Sequence, residues 1–225
     1  MKKRNVYCVE KLSLSNMKPF AEGGNRLCFI HPKNANLCVK VVKKSSIATL
    51  RARRGFIKNL RPDSAFDDNM SEYIAYQQSA IVRGGSEVYD CLPRCYGWQE
   101  TDIGAGLISD YYTSEAGAAQ TLDGYLKAYG MTDEISGMLD ELAQWLRHTQ
   151  ILTKNILPHN VVIAEDGKLK LIDGLGVSSP FNIARFNAGA RKNYIEKRVK
   201  RMFLRVDWEL SDKSVSWKAT EAQNK

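Results

Sequence analysis

The stretch of residues 145–176 leaves this chain few ways to fold. It reads as the end of a helix, a polar loop holding Pro158, and an apolar strand at Val161-Val162-Ile163. A tight turn at Asp166-Gly167 follows, then a second strand at Leu169-Lys170-Leu171-Ile172, and then Asp173 among glycines. An Asp-Gly pair between two short apolar runs folds them back antiparallel. Asn160, just before the first strand, and Asp173, just after the second, are therefore predicted to emerge at one open end. An amide oxygen beside a carboxylate offers hard oxygen ligands suited to Mg²⁺ next to a substrate phosphate.

Upstream, Ile135, Met138, Leu139, Leu142, Trp145 and Leu146 recur at helical spacing, so a helix from Thr132 or Asp133 to His148 is predicted to carry the loop. His148 reads as a capping or packing residue. His159, inside the loop and next to Asn160, is the better placed of the two to act as a base. Further on, Tyr194, Ile195, Val199, Met202 and Phe203 supply the packing face of a helix predicted over residues 189–208, and its cations are expected to point outward. The tail, residues 211–225, reads as polar and loose.

Residues 5–42 read as a short sheet with Gly23-Gly24 in a bend, an arrangement that lets backbone N–H groups lie over phosphates. Lys40, in the apolar run Leu37-Cys38-Val39-Lys40-Val41-Val42, is expected to point out of the core. A basic run ends in the loop signature Arg61-Pro62-Asp63-Ser64. A single helix is then predicted over residues 70–83, with Asn69 as its N-cap and Glu72 in its first turn. Residues 88–112 alternate in the manner of two strands turning over residues 101–106 and end at Tyr111 and Tyr112. Residues 113–130 read as a linker and a short helix.

Composition narrows the class. With 44% hydrophobic and 26% charged residues over 225 positions, the chain can bury a full core. No apolar run approaches the roughly 20 residues of a membrane span, and the start lacks an apolar signal core, which predicts a cytoplasmic protein. The 5 cysteines form an odd set without secretory context, so no disulfide framework is expected, and Cys91 and Cys95 lack a second Cys/His pair to complete a metal site. A net charge of +8 points to an acidic partner. The cations gather in two runs, residues 43–61 and residues 185–205, each interrupted by apolar residues as in a folded face.

The loop Thr153-Lys154-Asn155-Ile156-Leu157-Pro158-His159-Asn160, followed by the hairpin and Asp173-Gly174-Leu175, resembles the catalytic loop and D-F-G segment of protein kinases. Within that group the chain looks most like the YrbL family, the PhoP regulatory network proteins, above all in Tyr96-Gly97-Trp98-Gln99-Glu100-Thr101-Asp102. The resemblance implies an α+β, protein-kinase-like two-lobed fold with a reduced C-terminal lobe: an N-terminal lobe of residues 1–112, a helical lobe of residues 113–210, and a flexible tail. It implies ATP and Mg²⁺ as cofactors, with Gly23, Gly24, Lys40, Glu72, Tyr111 and Tyr112 around the nucleotide and Asn160 and Asp173 on the metal. Lys40 would reach the phosphates with Glu72 as its ion-pair partner, and Asn155 stands where the family resemblance places a catalytic aspartate. An atypical phosphotransferase is the expectation, with an inactive kinase-like binding module and a nucleotidyl transferase as alternatives. The acceptor stays open between protein, sugar and lipid-linked saccharide. The basic helix over residues 189–208 suits an acidic or phosphorylated partner better than nucleic acid.

Overall fold

The structure, a computed structural model, describes residues 10–43, 67–114, 117–177, 179 and 181–224. Most of the first basic run lies outside the described residues. The fold is α+β, with antiparallel sheets and several helices, and the chain divides into two compact units: Met1–Ile74 with Arg94–Tyr111, and Ala75–Pro93 with Tyr112–Lys225.

The first unit is built on strands β1 (Ala21–Glu22), β2 (Arg26–His31), β3 (Asn34–Val42), β4 (Cys95–Thr101) and β5 (Gly104–Asp110). They form one antiparallel sheet in the order β1-β2-β3-β5-β4. Period-two alternation along β3 gives the sheet two working faces. Val39 and Val41 join Phe29, Ile108, Leu12 and Leu14 in a core on one face. Burying each such side chain fully is worth about 1.5–3 kcal/mol. Lys40 belongs to the other face, in register with Cys28 on one side and Leu107 on the other. Helix α1 (Asp68–Tyr76) contributes to that second face, where the Tyr73 ring meets Trp98 at 5.8 Å between centroids.

Three expectations about this helix need correction. Its cap is Asp67, whose Oδ1 accepts from the Met70 amide at 3.0 Å, and Asn69 is fully buried with its Nδ2 donating to the Lys40 carbonyl at 2.7 Å. Because the helix begins at Asp68, Glu72 falls in the second turn. The helix also stops early. Gln78 adopts an extended conformation before a separate short helix, α2 (Ser79–Val82), because its side chain is taken up elsewhere: Oε1 accepts from the Leu152 amide at 2.7 Å.

The second unit holds β6 (Thr113–Ser114) and β7 (Gly117–Ala118), helices α3 (Leu122–Tyr129) and α4 (Asp133–Thr149), and the hairpin β8 (Val161–Ile163) and β9 (Leu169–Leu171). Helices α5 (Ala188–Leu210) and α6 (Trp217–Gln223) complete it. Thr132 caps α4 by accepting from the Ile135 amide at 3.2 Å, and Asn187 caps α5 by accepting from Ala190 at 2.8 Å. The stripe read from the sequence of α4 is buried at Ile135, Leu139, Leu142, Trp145 and Leu146, while α5 buries Ile195, Val199, Met202 and Val206. His148 is exposed and does not pack. The tail read as loose contains α6. Its Trp217 lies 6.0 Å from Trp208, and the Arg205 guanidinium lies over both rings, at 4.4 Å from Trp208 and 4.9 Å from Trp217. No helix among the described residues is long and apolar enough to cross a membrane.

The β4–β5 turn also ties down the start of the described chain. Asp102 accepts from the Leu14 amide at 2.7 Å, the Ser15 amide at 3.1 Å and the Ser13 hydroxyl at 3.3 Å. Hydrogen bonds from Ser15 and from the Leu14 amide pull its carboxyl down from 3.8 to about 2. A depressed carboxylate contributes stability that is fully present above 3.8 and is lost as pH falls through about 2. Asp102→Asn is therefore expected to lower the thermal midpoint near neutral pH, with the gap to the parent closing across that acid window. Melting curves followed by circular dichroism check this, and a gap that persists at the acid end would contradict it.

Candidate functional site

In the first unit the polar chemistry centres on one carboxylate. Glu72 takes the Lys40 ammonium on Oε1 at 2.7 Å and the Arg26 guanidinium on Oε2, and Arg26 also reaches Asn69 Oδ1 at 3.5 Å. Lys40 and Glu72 are both buried, so the expectation of an outward lysine holds only in that it leaves the apolar core face. Burial pushes the Lys40 ammonium down, but the Glu72 charge and hydrogen bond outweigh it and leave the group above its ordinary 10.5. Lys40 therefore stays cationic at any physiological pH.

The β1–β2 turn precedes Arg26, and in it the Gly23 amide donates to the Arg26 carbonyl at 2.9 Å. The fold does not require glycine there. A methyl group at Gly23 would meet nothing nearer than 3.8 Å, one at Gly24 would meet nothing within 4 Å, and neither residue has positive φ. Glycine is suited to places where backbone must come close to a ligand, and this bend leaves room for that. Beside Lys40 on the same sheet face, the Cys28 thiol is pulled down to about 7 by its hydrogen bond with Cys38, with the Lys40 and Arg26 charges adding to the effect against burial. Tyr111 packs against Phe20 in a tilted pair, with ring centroids 4.6 Å apart.

In the second unit the predicted hairpin is present. Val161 pairs with Leu171, Ile163 pairs with Leu169, and the Ile172 amide donates to the Asn160 carbonyl at 2.9 Å, which brings Asn160 and Asp173 to the same open end. A backbone zipper fixes the polar loop against the segment that follows. The Lys154 amide donates to the Gly174 carbonyl at 2.6 Å, the Gly176 amide donates to Leu152 at 2.8 Å, and Thr153 bridges Leu175. Gly174 must be glycine. Its φ is +89° and a Cβ would stand 2.2 Å from the Asn155 carbonyl oxygen. Asp173 is exposed and its Oδ1 accepts from the Gly174 amide at 2.7 Å. His159 is exposed on the short Pro158–Asn160 turn, next to the half-buried Asn160.

Asn155 itself has a partner that sequence reading missed. Its Oδ1 accepts from Arg201 Nη1 at 2.5 Å, and Arg201 Nε donates to Glu221 Oε1 at 2.6 Å. Helix α5 also braces the loop through the Tyr194 hydroxyl, which donates to the Thr153 carbonyl at 2.9 Å. Tyr112 lies below Lys170, whose Nζ is 5.7 Å from the ring centroid and donates to the Asp90 carbonyl at 2.7 Å. No group of three or more His, Cys, Asp or Glu side chains among the described residues is placed to hold a metal ion. Asn160 and Asp173 would supply only part of a Mg²⁺ shell, and further oxygens would have to come from elsewhere. Burial pushes the Cys91 thiol up to about 12 and the Cys95 thiol up to about 11, so neither is a ready thiolate ligand.

Residues 12–207 match the family described as PhoP regulatory network protein YrbL. The chain belongs to this family. Proteins named YrbL from Escherichia coli (strain K12) and Shigella flexneri are each 22% identical to it over 184 residues, covering 78% of this chain and 79% of the relative. The matched span of the family takes in both Glu72 with its two cations and the Asn160–Asp173 hairpin, whereas Trp217 and Glu221 lie beyond it.

Two measurements probe the first of these sites. Removing one member of a buried ion pair typically costs about 3–5 kcal/mol. Glu72→Ala leaves two cations facing each other and is expected to fall in that range in urea unfolding. Lys40→Met should cost clearly less, since Arg26 still neutralises Glu72. Equal losses would mean that Arg26 does not share the carboxylate. Separately, alkylation of Cys28 by iodoacetamide, resolved by peptide mass spectrometry, should rise with pH around a midpoint of about 7. A midpoint at the ordinary thiol value of 9.0 would show that Cys38 and Lys40 exert no pull.

Proposed function

We propose that the protein is a kinase-like ATP- and Mg²⁺-binding member of the YrbL family, an atypical phosphotransferase in which Asn155 replaces the usual catalytic aspartate. The observation that carries this reading is the buried pairing of Lys40 on a strand with Glu72 on a helix at 2.7 Å. Burying an ammonium and a carboxylate has a desolvation cost that an apolar pair of the same volume would avoid, so the arrangement makes most sense where a fixed cation is needed. Protein kinases use such a lysine to hold nucleotide phosphates. A protein-kinase-like two-lobed fold with a reduced C-terminal lobe belongs to the same proposal.

Each residue then has a task. The Gly23-Gly24 bend covers the phosphates with backbone, Lys40 neutralises them, Glu72 and Arg26 keep Lys40 in place, and Tyr111 and Tyr112 border the adenine. Asn160 and Asp173 hold Mg²⁺, which when bound neutralises charge on the phosphate oxygens. Asn155 cannot take a proton from an acceptor hydroxyl. A positioned general base contributes about 10²- to 10⁴-fold, so transfer is slow unless His159 or the acceptor itself supplies the base. Protein hydroxyls, sugars and lipid-linked saccharides all suit as acceptors, and nucleotidyl transfer is a variant that needs no such base.

A second reading has its own observation. The Asn155 side-chain oxygen is already committed to Arg201 at 2.5 Å, which favours a regulatory module that binds nucleotide without turning it over.

Calorimetric titration with ATP tests the shared part of both readings. Binding is expected to require Mg²⁺ in the parent protein, and Asp173→Ala is expected to remove the metal dependence. Equal affinity with and without Mg²⁺ in the parent would overturn the proposal. Intact-mass spectrometry after incubation with Mg²⁺ and ATP, with ATP consumption followed in parallel, then separates the two: a gained phosphoryl or adenylyl group or consumption of ATP supports transfer, and an unchanged mass with intact ATP supports the binding module.

A further inference from the structure

The segment between the hairpin and α5 is unusual in what it leaves uncovered. Phe181, Ile183 and Phe186 are 89%, 67% and 79% exposed, the three most exposed large apolar side chains among the described residues. Their exposure is not slack. The turn Ile183–Arg185 is anchored by Ala184, which is 1% exposed and whose amide donates to Asn182 Oδ1 at 3.0 Å. Arg191 of α5 clamps it from the other side, with Nε donating to the Ala184 carbonyl and Nη2 to the Arg185 carbonyl, each at 2.9 Å. The Phe186 and Asn187 amides both close on the Ile183 carbonyl at 3.0 Å. The backbone is thus satisfied internally while the apolar side chains stand outward.

The surroundings of these side chains are cationic. Arg185 is exposed within the turn, and Lys192 and Lys197 are exposed along α5. The single acid in residues 181–206 is Glu196, and its carboxylate is taken by Arg147 at 3.0 Å. Isolated exposed apolar residues are ordinary, but three within six residues, on and beside a pinned turn, suit a contact surface.

We propose that this turn and the first half of α5 dock on an anionic lipid surface. Phe181, Ile183 and Phe186 enter the boundary between headgroups and acyl chains, and Arg185, Lys192 and Lys197 meet the anionic headgroups. Charge complementarity selects this occupant. An apolar protein face would cover the aromatic rings but would offer Arg185, Lys192 and Lys197 no acid beyond Glu196, which Arg147 and Lys192 already share, whereas a membrane interface uses both at once. The inference stands apart from the nucleotide reading, since none of these side chains belongs to that site.

Vesicle flotation of the full chain tests it, using phosphatidylcholine vesicles with and without phosphatidylglycerol. Flotation with the anionic vesicles alone, weakening as salt is raised, is the expected result. Replacing Phe181 and Phe186 together by serine should cut the partition coefficient by about tenfold or more, in line with the loss of two inserted rings. The melting temperature should not move, because both rings are exposed. Lys192→Glu with Lys197→Glu should abolish the preference for phosphatidylglycerol. Absence of flotation with either vesicle would overturn the proposal. So would concentration-dependent self-association, seen by sedimentation velocity, that the paired serine variant removes, because a second copy of the chain would then be the occupant.

Discussion

One carboxylate organises the first unit. Glu72 sits in a helix, yet its two oxygens belong to cations from two strands of the sheet, Lys40 on β3 and Arg26 on β2. A buried ammonium without an acid would give up its proton or draw in water, and a buried carboxylate without cations would protonate. The Lys40 ammonium keeps its charge in this buried place because Glu72 stands beside it. Asn69 reinforces the arrangement from the same helix by donating to the Lys40 backbone. This is an expensive way to attach a helix to a sheet. Apolar side chains of the same volume would hold it at least as firmly.

The second unit solves a different problem, which is to hold an irregular loop still. It does so with backbone rather than charge. Residues 152–154 and 174–176 exchange main-chain hydrogen bonds as two short strands would, although no regular sheet forms there. Gly174 makes that approach sterically feasible, and Gln78 before α2 and Tyr194 and Arg201 on α5 bring side chains to the same loop. Asn160 and Asp173 stand at the edges of this braced region, where a small loss of registry would move them apart.

What could be read from the sequence follows from how far each determinant reaches along the chain. The hairpin was legible because Asp166-Gly167 lies directly between its strands, and α4 was legible because its apolar stripe repeats within the helix itself. The opposite face of Lys40 followed from simple alternation along β3. Its burial did not, because the groups that cover it come from residues 26 and 72. Asn69 looked like a cap by residue type, but Asp67 satisfies the helix terminus and frees Asn69 for the interior. The break at Gln78 answers a demand from Leu152, 74 positions onward, which no local pattern could announce. Helix α6 was missed for a related reason: its sequence is polar, and it is held chiefly by tryptophan rings against Arg205.

The linkage from Glu221 through Arg201 to Asn155 joins a part of the chain outside the family match to a part inside it. Glu221 and Trp217 lie after residue 207, where the family match stops, while Asn155 lies well inside it. A guanidinium held by a tail residue on one side and by the loop on the other passes any shift at the tail directly to the loop. A change among the positions after residue 207, outside the span that the family matches, can therefore reach the Asn155 side chain through Arg201.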